Sequence, residues 1–254
     1  MHDFKGKAVI VTGASSGIGR ATARKFAQAG ADVYLAANGP QPELEAAAAE
    51  CRKDNPSGAA HWGIFDLADS EAPARMVTKA LEVMKRVDVL VNNAGIRIRH
   101  PFGEYTAAEY DQVMAVNVRA YFLASQAVLP AMHKQGGGRI IHVASQMGLV
   151  AHTESLLYGL SKSAVIYLAR AMAYELAKDN IVVNAISPGP VMTEYNVART
   201  SRDPALHADR LRYLPLGRYG EPDEIAETIV LLAGAMPDFL QGHNLVIDGG
   251  YTAH

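Results

Sequence analysis

Short apolar runs rich in β-branched residues recur along the chain, separated by longer segments in which apolar positions return every three or four residues. The first pattern suits a strand buried on both faces and the second an amphipathic helix, so their alternation implies parallel strands joined by crossover helices. Strands are expected at residues 8–12, 32–36, 60–65, 87–92, 138–144, 182–187 and 244–247. Helices are expected at 18–29, 42–55, 70–85, 107–135, 156–178 and 222–234. The prediction is an α/β protein, a doubly wound seven-stranded parallel sheet with helices on both faces. No Pro/Gly/Ser-rich linker interrupts the alternation, so residues 1–254 are expected to form one domain. The stretch 188–218 is long, polar and mixed between helix and loop, which marks it as a substrate lid.

Composition narrows the function classes. A formal charge of -2 in 254 residues offers no surface for nucleic acid or other polyanions. No apolar stretch approaches the roughly 20 residues that span a bilayer, and the N-terminal segment has no leader-like cleavage site, so the cytoplasm is the expected compartment. The lone Cys51 cannot form an internal disulfide, and its neighbours Glu50, Arg52 and Lys53 suggest a helix-surface position rather than a catalytic thiol. The histidines lack metal-ligand spacing, so no metal is expected.

Candidate chemistry begins after the first strand, at Thr12-Gly13-Ala14-Ser15-Ser16-Gly17-Ile18-Gly19, where an amphipathic helix opens. Glycine at 13 and 17 lets the main chain approach a pyrophosphate, and the N–H groups and dipole of the helix start favour its charge. Tyr158 and Lys162 stand four positions apart on a predicted helix and share a face. A tyrosine of pKa about 10 is a poor base near neutrality, and a neighbouring ammonium favours its phenolate, which makes Lys162 the expected tuning charge. Ser145 closes the fifth predicted strand, and Asn117 places an amide in an apolar helical stretch where it must find partners.

The Gly-x-x-x-Gly-x-Gly spacing resembles that of the short-chain dehydrogenase/reductase family. So do Asn92-Asn93-Ala94-Gly95, Asp66-Leu67, Pro188-Gly189 with Val191 and Thr193, Pro215-Leu216-Gly217-Arg218 and Asp248-Gly249-Gly250. The resemblance spans essentially the whole chain. It implies a Rossmann-type fold, hydride transfer between NAD(P) and a secondary alcohol or ketone, and a homotetramer or homodimer. It implies that Tyr158 exchanges the substrate proton, Lys162 also holds the nicotinamide ribose, Ser145 hydrogen-bonds the substrate oxygen and Asn117 holds a water. The cofactor residues it implies are Gly13, Ser15, Ser16, Gly17, Ile18, Gly19 and Asn38, then Asp66 and Leu67 beside the adenine. Asn93, Ala94 and Gly95 would wall the site, and Pro188, Gly189, Val191 and Thr193 would line the nicotinamide side.

Cofactor choice and substrate are less constrained. The second strand ends in Ala36-Ala37-Asn38-Gly39, without the acid that suits NAD or the base that suits the phosphate of NADP. Use of either is expected, with the balance tipped toward NADP. Arg97 and Arg99 follow the fourth strand, where side chains face the ligand crevice, and an arginine there can clamp a carboxylate. They equally suit solvated loop charges or a subunit interface. The stretch is similar to that in relatives acting on gluconate or keto-sugar acids, which favours a sugar, polyol or sugar acid. Gln146 and His152, with Glu154, are further pocket candidates. The alternatives are a 3-oxoacyl thioester reductase, with a basic docking surface for an acidic carrier, and a dinucleotide-binding protein without turnover.

Overall fold

A computed structural model describes residues 3–202, 211–234 and 236–253. Seven parallel strands form one sheet in the order β3-β2-β1-β4-β5-β6-β7. The strands are β1 Ala8–Thr12, β2 Asp32–Ala37, β3 Ala60–Ile64, β4 Val89–Asn92, β5 Gly138–Val143, β6 Ile181–Pro188 and β7 Asn244–Ile247. Each matches a predicted strand to within about two residues. Every residue of β1 is buried because its alternate side chains feed two cores. Val9 and Val11 pack into the layer holding Phe26, Leu44 and Ile229, whereas Ile10 packs with Met76, Val128 and Ala169 on the opposite face.

The first layer is built by α1 Gly17–Gln28, α2 Gln41–Asp54 and α8 Pro222–Gly234, and the second by α3 Ala72–Met84, α5 Ala120–Gln135 and α6 Leu156–Leu176. The winding reverses between β1 and β4, so the chain leaves their carboxyl ends in opposite directions and opens a crevice there.

Three sequence expectations need correction. The predicted helix 107–135 is broken: α4 Ala107–Met114 passes through a π-helical turn at Ala115–Arg119 before α5 begins. Cys51 is buried, not on a helix surface, because it continues the apolar stripe of Leu44, Ala47 and Ala48 along α2. The predicted helix 156–178 ends at Leu176, followed by a 3₁₀ turn at Ala177–Asp179 and a left-handed Asn180. Within the expected lid, α7 Glu194–Arg202 is helical, and residues 203–210 lie outside the described residues.

Candidate active site

The turn after β1 is packed too closely for side chains. A Cβ at Gly19 would stand 2.1 Å from the Gly13 carbonyl oxygen, and one at Gly13 would stand 2.9 Å from the Ala94 Cα. Gly17 has φ +53°, a conformation that favours glycine. Asn93 braces this turn from β4: its side-chain amide donates to the Thr12 carbonyl at 2.8 Å, while the Thr12 hydroxyl accepts from the N–H groups of Asn93 and Ala94. Leu67, buried beyond β3, belongs with Ala72 and Ala120 to a small apolar cluster against which Ala94 packs. Asp66 is exposed at the same sheet edge, and its carboxylate accepts from the Ala68 N–H at 3.0 Å. Ser16 is the N-cap of α1 but makes no side-chain capping bond. Instead the Gly17 N–H donates to a Glu194 carboxylate oxygen at 2.9 Å, reaching across from the start of α7.

Alongside lies a cavity of about 610 Å³. Ile18, Asn93 and Gly95 line one side and Pro188, Gly189, Val191 and Thr193 another. Ser145, Tyr158 and Lys162 meet on a third wall. Asn117 stands behind it, turned inward by the π turn, an irregularity frequent at functional sites. Its side chain accepts from the Ile96 N–H at 2.8 Å and donates to the Ile96 carbonyl at 2.9 Å and the Ser161 hydroxyl at 3.0 Å. A polar side chain at 0% exposure is thereby satisfied.

Lys162 does face Tyr158, with Nζ 5.7 Å from the ring centroid. Its ammonium, however, donates to the Val143 carbonyl at 2.7 Å and the Tyr121 hydroxyl at 3.3 Å, and burial lowers its pKa to about 7. The Tyr158 phenol lies above its ordinary value because desolvation outweighs the pull of Arg97 and of the Ser145 hydroxyl. His142 stacks on Tyr121 with centroids 5.6 Å apart, and burial followed by the Lys162 charge lowers it to about 3, so it is neutral near pH 7.

Arg97, Gln146 and His152 all line the cavity, and Arg99 is not part of its lining. The Gln146 side-chain oxygen is buried and lacks a hydrogen-bond partner. Tyr121, Ser155, Asn196, Tyr213, Tyr219 and Tyr251 are missed by sequence reasoning, although Tyr121 could have been found one turn beyond Asn117 on the same inward face. Tyr213 and Tyr251 meet only through the fold, with ring centroids 6.4 Å apart.

The crevice fits a dinucleotide. Its glycine floor leaves room for a close phosphate, and the helix start already holds a carboxylate oxygen where an anion would bind. Asn38 and Ser16 are exposed, and Arg20 nearby is engaged by Glu50 through two hydrogen bonds. A family model described as enoyl-(acyl carrier protein) reductase matches residues 13–252. The chain is 35% identical over 253 residues to 2-dehydro-3-deoxy-D-gluconate 5-dehydrogenase of Dickeya dadantii, covering 99% of this chain and 97% of that one. It is 35% identical to a 3-oxoacyl-[acyl-carrier-protein] reductase of Thermotoga maritima over 97% of this chain and 98% of the other. A solved structure from Beutenbergia cavernae, provisionally assigned as an NAD(P)-dependent gluconate 5-dehydrogenase and holding NADP at low occupancy, superposes with a TM-score of 0.91. It shares 35% identity over 99% of both chains. Sheet, glycine turn and cleft together define an NAD(P)-dependent oxidoreductase of the Rossmann type. The chain belongs to the short-chain dehydrogenase/reductase family.

Proposed function

We propose that this enzyme interconverts a secondary alcohol and a ketone on a polar, polyhydroxylated substrate, a sugar, polyol or sugar acid. The observation that carries the reading is the meeting of Ser145, Tyr158 and Lys162 on one wall of a cavity also lined by Arg97 and Gln146. When bound, NAD(P) supplies or takes up the hydride. Tyr158 exchanges the hydroxyl proton and Ser145 holds the substrate oxygen. Lys162 would hold the nicotinamide ribose, and Asn117 fixes the loop beneath by gripping Ile96. The glycine turn with Ser15 and Ser16 holds the pyrophosphate end, with Asn38, Asp66 and Leu67 toward the adenosine. Without an acid or base at the end of β2, both cofactors are accepted, NADP somewhat better.

Arg97 suits a carboxylate and the unpartnered Gln146 oxygen suits a donating hydroxyl. Both speak for a sugar acid over a long acyl chain. The likeness to 5-dehydrogenases of keto-sugar acids points the same way. We also read the chain as one catalytic domain working in the cytoplasm as a homotetramer or homodimer. Leu160, Tyr167 and Tyr174 are exposed at seven-residue intervals along α6, which supports helix pairing between copies.

The test screens polyols, sugar acids and 3-oxoacyl thioesters with both cofactors by nicotinamide absorbance, then repeats the best pair with Tyr158→Phe. Loss of at least about a hundredfold in kcat with NADPH affinity retained is expected. Undiminished turnover overturns the proton-transfer assignment, and a preference for thioesters overturns the substrate class.

A further inference from the structure

We infer that Tyr121 is a positioning residue for the reaction, whose hydroxyl aims the Lys162 ammonium at the nicotinamide ribose and the Tyr158 phenol. A lysine carries its charge on a flexible four-carbon stem, so burial alone does not fix where the ammonium points. Two of its three N–H donors are tied on the inward side, to the Val143 carbonyl at 2.7 Å and the Tyr121 hydroxyl at 3.3 Å. That hydroxyl in turn donates to the same Val143 carbonyl at 3.3 Å, which closes a triangle of ammonium, phenol and carbonyl. The tetrahedral ammonium then has one donor left, directed away from the triangle. Nζ lies 5.2 Å from the Tyr121 ring centroid and 5.7 Å from that of Tyr158, and a Cβ at Gly95 would stand 3.5 Å from it. Gly95 and Lys162 both line the cavity, so the remaining donor emerges at the wall where the cofactor is read to bind.

Tyr121 can serve as an anchor because its own ring is fixed. It is buried on α5 and stacks on His142 of β5 with centroids 5.6 Å apart. The Asn92 side-chain amide, at the end of β4, donates to Nδ1 of His142 at 3.2 Å and to the Ser125 hydroxyl at 3.1 Å. Ser125 stands one helical turn after Tyr121 on the same face of α5. Two strands and a helix thus clamp the phenol before it meets the lysine, and all four side chains are buried. Anchoring the ammonium in this way lowers the cost of ordering its long side chain in the working rotamer. A phenylalanine would fill the same space and keep the stack, so what the hydroxyl adds is its bonds to Lys162 and Val143.

The inference rests on the reading of Lys162 as the residue that holds the ribose and serves Tyr158, and the experiment separates the two. NADPH affinity is measured by fluorescence titration in the parent, Tyr121→Phe, Lys162→Met and the double variant. Tyr121→Phe weakens NADPH binding by about three- to tenfold in the parent and by less than about twofold in the Lys162→Met background, because the hydroxyl acts through the ammonium. With saturating NADPH, kcat of Tyr121→Phe falls by about tenfold while KM for the carbonyl substrate stays level. An equal loss of affinity in both backgrounds overturns the inference, since it assigns the hydroxyl to packing that is independent of the lysine. So does an unchanged NADPH affinity in Tyr121→Phe, even where the melting temperature drops. Parental NADPH affinity and turnover in Lys162→Met remove the reading of the lysine itself, and the inference with it, whatever Tyr121→Phe does.

Discussion

Cys51 shares the buried stripe of α2 with Leu44, Ala47 and Ala48, and burial pushes its thiol up to about 12. A thiol so protonated is a poor nucleophile. Ellman's reagent is therefore expected to label the native protein at least about a hundredfold more slowly than the urea-unfolded chain, and equal rates would contradict the burial. The charged residues beside Cys51 in sequence mislead because adjacent positions on a helix point in different directions, while positions three and four apart share a face. Tyr158 and Lys162 are legible for the same reason, since one helix fixes both. Arg97 is legible as a crevice-facing residue after β4, whereas its bond to Ser155 and the bond of Lys162 to Tyr121 link elements that no spacing along the chain joins.

At the scale of elements, the strands and most helices follow from apolar periodicity, but the π turn at Ala115–Arg119 does not. One extra residue within a helix barely disturbs the recurrence of apolar positions, yet it rotates the downstream turns of the helix and swings Asn117 into the fold. The meeting of α1 with α7 is equally silent in sequence, because residues 17 and 194 belong to separate crossovers. Glu194 holds the Gly17 N–H with a carboxylate oxygen at 2.9 Å, occupying a donor at the positive end of α1 that a pyrophosphate would use. Two anions at one helix start repel, so a dinucleotide must displace this side chain, and the displacement lowers its apparent affinity. Glu194→Gln keeps the size and removes the charge. Fluorescence titration is expected to give NADPH binding about three- to tenfold tighter, with the gap narrowing at high salt. Weaker binding in the variant would show that Glu194 supports the cofactor.

Over the whole molecule, the reversal of winding between β1 and β4 sets the crevice, while β5 and α6 bring a polar cluster into the packed interior beside it. Lys162 at 2% exposure, Asn117, Ser161 and His142 at 0% displace side chains that would otherwise extend the apolar core. The lysine carries the largest cost, because burial penalises its ammonium and takes its pKa from 10.5 to about 7. The sign is set by proton binding. Between these values the unfolded chain holds a proton that the folded chain has released, so stability rises with pH across this window. Below about 7 both states are charged and the full cost is present, whereas above the unfolded value it is gone. Lys162→Met removes that cost, about 2–5 kcal/mol at pH 6, and leaves the Val143 carbonyl and the Tyr121 hydroxyl satisfied by their own bond at 3.3 Å. Urea denaturation at pH 6 and pH 10 is therefore expected to show the variant gaining on the parent by about 2–4 kcal/mol more at the acid end, while turnover is lost at both. A stability difference that stays constant with pH, or grows toward pH 10, would mean that this lysine is charged at no cost in the fold, and that the site's strain resides elsewhere.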